Sequence, residues 1–223
     1  MKNIISFSGG KDSTAMLFMM IEKGIRVDEI VYCHIEKAEF KEMLEHIELV
    51  KERLTNDIIF TELKLEISFE EGVKKYSWPD FQARWCTTLF KVQRMKKYLN
   101  DKYGRGKYKE YVGIAFDEPK RIKEKNYPLF DWKITEKEAL QYCYDIGFYW
   151  SGLYENFDRL SCFLCPLQRI GELRHIFNLF PEHWKEMERL DKFSKRRFRN
   201  DYSVEELRRR FEAENRKLRL PGM

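Results

Sequence analysis

Two groups of residues in this chain have the types and the spacing to do chemistry. The first is Ser8-Gly9-Gly10-Lys11-Asp12-Ser13. Adjacent glycines let a backbone turn sharply and bring its N–H groups to an anion, and a helix starting at such a turn adds about half a positive charge. Ser8 and Ser13 bring hydroxyl donors and Lys11 a mobile cation. The spacing is neither G-x-x-x-x-G-K-S/T nor G-x-G-x-x-G. The second group is cysteine. Cys162-Phe163-Leu164-Cys165-Pro166 puts two thiolates on one turn at metal-chelating distance. Cys86 falls at an expected helix N-terminus, where the dipole lowers a thiol pKa. Zinc held by Cys86, Cys162 and Cys165 plus His175 or Cys143 is one reading, and three unconnected thiols is another. Cys33, in an expected strand, and Cys143, in an expected helix, read as small apolar packing. Five cysteines in a cytoplasmic-looking chain do not suggest a disulfide framework.

These residues need elements to hold them. Residues 3–8 read as a buried strand and 12–23 as a helix, so the glycine pair lies at a strand-to-helix junction. A second strand covers about 28–35, and Phe40, Met43, Leu44, Ile47, Val50 and Leu54 fall at helical spacing after it. A third strand is expected at 58–65, then a loop with Trp78-Pro79, a helix over about 87–103 and a fourth buried strand at 111–115. This alternation implies an α/β fold with a doubly wound, mostly parallel sheet that binds ligands at the C-terminal ends of its strands. Thr135 to Glu138 forms a capping box opening a helix to about 145. The aromatic loop 147–158 is expected to pack on the C-terminal helices, which run from 169 with breaks at Pro181 and 200–203. The organisation expected is a nucleotide-binding unit over 1–168 and a basic helical extension over 169–223.

The loop Ser8 to Ser13 resembles the SGGxDS pyrophosphate loop of the PP-loop superfamily, a Rossmann-type α/β fold. Three further segments are similar to those of the phosphoadenosine phosphosulfate (PAPS) reductase family. They are Arg84-Trp85-Cys86-Thr87-Thr88-Leu89-Phe90-Lys91, Gly113-Ile114-Ala115-Phe116-Asp117-Glu118 with Arg121, and Tyr127-Pro128-Leu129-Phe130-Asp131-Trp132. The resemblance implies an adenine nucleotide, ATP or another. Its phosphates would lie on Ser8 to Ser13 and its base near Cys33 and His34, where His34 offers its backbone or its side chain. Gly113 and Ile114 would flank ribose or base, with Lys91 and Arg121 near the anionic groups. Iron-sulfur members of this family bind a 4Fe–4S cluster through a tandem Cys-Cys and a distant Cys-x-x-Cys. Here the tandem is Trp85-Cys86, leaving Cys86, Cys162 and Cys165.

The family's reductases use a cysteine near the C-terminus, and no cysteine follows Cys165. The resemblance therefore points to the superfamily's other chemistry, cleavage of ATP to AMP and pyrophosphate with Mg²⁺, activating an acceptor for sulfur transfer. Lys11, Asp12 and Lys91 are the expected catalytic residues, with Asp12 assisting magnesium or loop geometry. A PAPS or adenylylsulfate reductase, and a non-catalytic nucleotide or nucleic-acid binding module, are the alternatives.

Composition frames these readings. With 42 Lys+Arg against 37 Asp+Glu the net charge is +5, and residues 189–219 alone carry +6. That segment reads as a pair of solvated helices or as a nucleic-acid patch, with Phe193, Phe198, Tyr202 and Phe211 interleaved. The longest stretches without a charged residue are nine residues, too short for a membrane span, and a cytoplasmic location is the expectation. Oligomeric state leaves no mark in the sequence.

Overall fold

The sheet has the order β3-β2-β1-β4, all parallel. Its strands are β1 (Lys2–Phe7), β2 (Glu29–Cys33), β3 (Ile59–Leu63) and β4 (Tyr108–Val112) in a computed structural model that describes residues 1–160 and 162–219. Alternation along the strands sends Ile5, Phe7, Ile30 and Tyr32 into the larger core, beneath α1 (Lys11–Glu22) and α2 (Lys41–Glu52). Ile4, Val31 and Cys33 point the other way, onto Met95 and Leu99 of α5 (Arg94–Tyr103). Helices on both faces explain why β2 is buried at every position, whereas the edge strands β3 and β4 are mostly half-buried. The chain winds from β1 to β3 in one direction and places β4 on the other side of β1. That reversal opens a crevice at the C-terminal ends of β1 and β4.

Three elements differ from the sequence reading. β4 ends at Val112, because Gly113 leaves the sheet to pass along the start of α1. A Cβ there would lie 2.6 Å from Ser13 N and 2.7 Å from Asp12 C. A helix, α3 (Phe69–Tyr76), occupies a stretch expected to be loop. Its capping box is complete: Ser68 Oγ accepts from Glu71 N at 3.2 Å, and Glu71 accepts from Ser68 N at 2.7 Å. The helix expected from 87 begins earlier, as α4 (Trp85–Thr87), and passes through a π-helical turn (Thr88–Gln93) before α5.

After α6 (Pro128–Asp131), the Thr135–Glu138 box opens α7 (Glu136–Asp145) as expected. The C-terminal helices are α8 (Ile170–Leu179), α9 (Pro181–Asp191) and α10 (Val204–Arg219). Their Leu173, Ile176, Trp184, Met187, Leu207 and Phe211 join the same core as α1 and α2. Phe198 is buried there too, so two of the four interleaved aromatics are core rather than stacking surface. The arginines are tied to carboxylates: Arg189 to Glu70 and Glu186, Arg196 to Asp80, Arg197 to Glu206, Arg208 to Glu205 and Glu212, Arg209 to Glu205. Among the described residues no helix is long and apolar enough to cross a membrane.

Candidate nucleotide site

β1 hands the chain to α1 through Ser8, Gly9 and Gly10, with Gly10 as the helix cap. Gly9 has φ +77°, a conformation that favours glycine, and a Cβ there would meet Met43 Sδ at 2.7 Å. Gly10 has an ordinary φ of −79°. Its missing side chain makes room instead, since a Cβ would stand 3.3 Å from the Tyr154 hydroxyl. Ser8 and Ser13 staple the loop, their hydroxyls 3.0 Å apart and Ser13 Oγ donating to Gly10 O at 3.0 Å. From the aromatic segment, Trp150 Nε1 donates to Gly9 O at 2.8 Å and Tyr154 Oη accepts from Lys11 N at 2.7 Å. That segment therefore lies on the loop, through Trp150 and Tyr154, as well as on the C-terminal helices, where Phe157 meets Phe180.

Lys11 is not the mobile cation expected. Its side chain is buried, with Nζ 3.7 Å from Asp12, 3.5 Å from Glu136 and 3.3 Å from the carbonyl of Asp158. Asp12, Glu118 and Glu136 bring carboxylate oxygens within 4.8 Å of one another. Burial pushes the Asp12 carboxyl up to about 6, against the pull of Lys11. Arg121 is spent on Glu118, and Arg159 on Glu118 and Glu136, so three cations face three carboxylates. Among the described residues Asp12 Oδ1 and Glu136 Oε1 are nevertheless buried without accepting a hydrogen bond, the latter held only by the longer ion-pair contacts of Lys11 and Arg159. Such hard oxygens suit a magnesium ion by type. Glu136 and Arg159 were missed in the sequence, where they sit in an ordinary helix start and an ordinary loop.

A cavity of about 430 Å³ opens beside the loop on the α5 face. Ser6 lines it from β1 and Ser8 from the loop that follows, Cys33 from the end of β2, Lys91 and Lys96 from the π turn and α5, and Lys125 from the segment after β4. The volume is in the range of small-molecule sites. Burial raises the Cys33 thiol to about 11. His34 lies outside the lining: its ring nitrogen is 2.7 Å from Glu62, and its N–H donates to Leu63 O within the sheet. Gly113, Ile114 and Arg121 do not line the cavity either; Ile114 is buried and Gly113 backs the start of α1. Glu39, which the sequence did not single out, does line it and accepts from Tyr32 Oη at 2.5 Å.

The Cys-x-x-Cys turn docks on the segment between β2 and α2, with Phe163 N–H donating to Ala38 O at 2.9 Å. Cys162 donates a hydrogen bond to Cys165, which draws the Cys165 thiol down to about 7 and pushes Cys162 up; the charges of Arg84 and Lys91 help Cys165. Cys86 lies in their electrostatic reach, but burial raises its thiol, outweighing the helix start expected to lower it. Lys91 acts on all of these thiols as well as on Cys33.

A family model of the phosphoadenosine phosphosulfate reductase domain matches residues 2–168. The chain belongs to that family. Two uncharacterized proteins of Methanocaldococcus jannaschii are similar to it, one 30% identical over 83% of this chain and 40% of its own length, the other 25% identical over 79% and 44%. An uncharacterized nin region protein of Escherichia phage lambda is 31% identical over 56% of this chain and 52% of its own. The chain thus spans about half or less of the curated relatives it matches. The fold is that of a phosphoadenylyl-sulfate reductase from Candida auris solved with phosphate, at TM-score 0.51 and 16% identity over 73% of this chain and 82% of that one.

Within the PAPS reductase family, the expected tandem cysteine is the point of departure. Trp85 in its place is buried against Phe69, Tyr76 and Phe90, with Nε1 donating to Ser77 O at 3.0 Å. The fourth ligands expected from sequence are elsewhere: Cys143 is buried with Sγ toward Lys11 O at 3.4 Å, and His175 packs on Phe157. Cys86, Cys162 and Cys165 are soft donors of the type iron and zinc take, but the structure does not gather their three sulfurs as it does Asp12, Glu118 and Glu136, the one group of possible ligands among the described residues.

Proposed function

We propose that this family member binds an adenine nucleotide and cleaves ATP between its α and β phosphates, passing AMP to an acceptor oxygen and releasing pyrophosphate. A sulfur nucleophile then displaces AMP from the activated acceptor. The observation that carries this reading is the adjacency of three parts: a stapled glycine loop on a helix N-terminus, a 430 Å³ cavity lined by Ser8 and three lysines, and thiols within the field of Lys91. The loop amides would take the departing phosphates, and Lys91 the negative charge that develops on them. Asp12, Glu118 and Glu136 would hold magnesium, which when bound neutralises phosphate charge. Cys165 carries the thiol with the lowest pKa and stands as the residue that handles sulfur or, with Cys86 and Cys162, would hold a metal. The unit over 1–168 would be the nucleotide-binding part, with 169–223 packed on it as a helical extension.

Purified protein given ATP, Mg²⁺ and candidate acceptors should yield AMP and pyrophosphate. If neither forms with any acceptor, the proposal fails. Sulfite release from a sulfonucleotide with a thiol donor would favour a reductase, for which these 223 residues supply no cysteine after Cys165. Anaerobic purification with iron, sulfide and zinc analysis decides between a bare thiol set and a metal centre. A nucleic-acid acceptor gains no support from the C-terminal segment, whose Arg196, Arg197, Arg208 and Arg209 are paired and whose Phe198 and Phe211 are buried.

A further inference from the structure

The first backbone amide of α1 already has an occupant. Tyr154 Oη sits 2.7 Å from Lys11 N, where a phosphate oxygen would otherwise accept. The phenol is pinned from several sides. Its ring meets Trp150 edge-on at 4.9 Å, Lys11 Nζ stands 5.6 Å over it, and Gly10 leaves it room that any side chain would fill. Trp150 in turn stacks at 4.2 Å on His46, a buried histidine whose Nε2 is 3.0 Å from Thr14 Oγ1 of α1. Burial pulls this imidazole down to about 3, so the platform is neutral at physiological pH. Between these anchors the backbone takes φ of +46° at Trp150 and +49° at Ser151, conformations non-glycine residues adopt at a cost.

We infer that Tyr154 is a built-in competitor at the phosphate loop: its hydroxyl occupies the Lys11 amide, and a nucleotide's phosphate displaces it on binding. Tyr154 is thus a positioning residue that sets the loop's affinity for phosphate, and the 150–158 segment moves off the loop as the site fills. The inference rests on the reading of Ser8 to Ser13 as a phosphate loop and adds what stands in it beforehand. No bond is made or broken; one hydrogen-bond acceptor replaces another.

The test is calorimetric titration of wild-type protein and Tyr154→Phe with inorganic pyrophosphate, ATP and adenosine. Phenylalanine keeps the ring and removes only the acceptor. A neutral hydrogen bond is worth about 0.5–1.5 kcal/mol, so pyrophosphate and ATP should bind the variant roughly 2- to 12-fold more tightly, while adenosine, which has no phosphate, binds both alike. Unchanged or weaker pyrophosphate binding by the variant overturns the inference while leaving the phosphate loop standing. If the wild type binds neither pyrophosphate nor ATP, the phosphate-loop reading falls and this inference with it. Hydrogen exchange on the wild type alone gives a readout independent of the variant's folding. Exchange over 150–158 should speed up when pyrophosphate is added, and slowing or no change refutes displacement.

Discussion

Adding one methyl group at Gly113 tests whether the end of β4 buttresses the phosphate loop. The Cβ of Gly113→Ala would stand 2.6 Å from Ser13 N and 2.7 Å from both Asp12 C and Ser13 Cα. Ordinary contact begins near 3.4 Å, so the first turn of α1 and the segment after β4 must part by about 0.7 Å. All three clashing atoms are backbone, and no rotamer change relieves them. Overpacking of this kind costs about 1–3 kcal/mol, and the rigid neighbours put this site toward the upper end. For a chain of this size each kcal/mol moves Tm by about 2–4 °C, so a fall of roughly 4–12 °C is expected by scanning calorimetry. Because the displaced turn carries Asp12 and Ser13, pyrophosphate affinity should fall as well. Gly171→Ala is the control: nothing lies within 4 Å of a Cβ there, and the residue is in α8, so Tm should hold or rise slightly. A Gly113→Ala protein that melts within 1 °C of wild type and binds pyrophosphate equally would refute the buttress.

Other perturbations give signs as definite. Asp12 is raised to about 6 in the folded protein, so its contribution is fully present below about pH 4 and lost as pH rises through 6. Asp12→Asn should therefore stabilise the fold at pH 8, by up to about 3 kcal/mol before allowance for its residual exposure, and do little at pH 4, as thermal melts at the two pH values would show. Metal-free protein should alkylate at Cys165 with a midpoint near pH 7 in an iodoacetamide series; Cys162→Ala removes the donor and should move that midpoint upward. Neutralising Arg196, Arg197, Arg208 and Arg209 should change the salt slope of nucleic-acid binding by less than about 1, well short of the shift four freed phosphate contacts would give.

Much of the fold was legible because its signals are local. The glycine pair at a strand end, the amphipathic spacing from Phe40 to Leu54 and the Thr135–Glu138 box each sit within fifteen residues. The box at Ser68 and Glu71 carries the same local signal for α3, in competition with the loop signal of Trp78-Pro79 just beyond it. The fourth strand was placed three residues late because Gly113, Ile114 and Ala115 continue an apolar run. What ends the strand is a contact with α1, a hundred residues away in sequence. The site divides in the same way. Ser8, Cys33 and Lys91, which the resemblance placed near one ligand, line one cavity. Glu136 and Arg159 around Asp12, and Trp150 and Tyr154 on the loop, have no spacing to betray them, since only the packing of α7 and the aromatic segment on α1 makes them neighbours. Cys86 shows competition between two effects: the helix start favours its thiolate, and burial wins.

The π turn at Thr88–Gln93 has a consequence for how this site can change. A π turn is what an α-helix becomes when it accommodates one residue more than its period allows, and such turns gather at functional positions. The stretch from Trp85 to Tyr103 is therefore two helices with different phases. In the first, Trp85 faces Phe69; in the second, Met95 and Leu99 face the sheet, and Lys91 lies in the joint between them. Removing a single residue from the joint would restore one uninterrupted phase and swing one half by about 100° against the other. The lysine would then leave the cavity, or the tryptophan the core. A one-residue length change at 88–93 is thus a coarse switch between site architectures, and in this stretch an insertion or deletion should matter more than most substitutions.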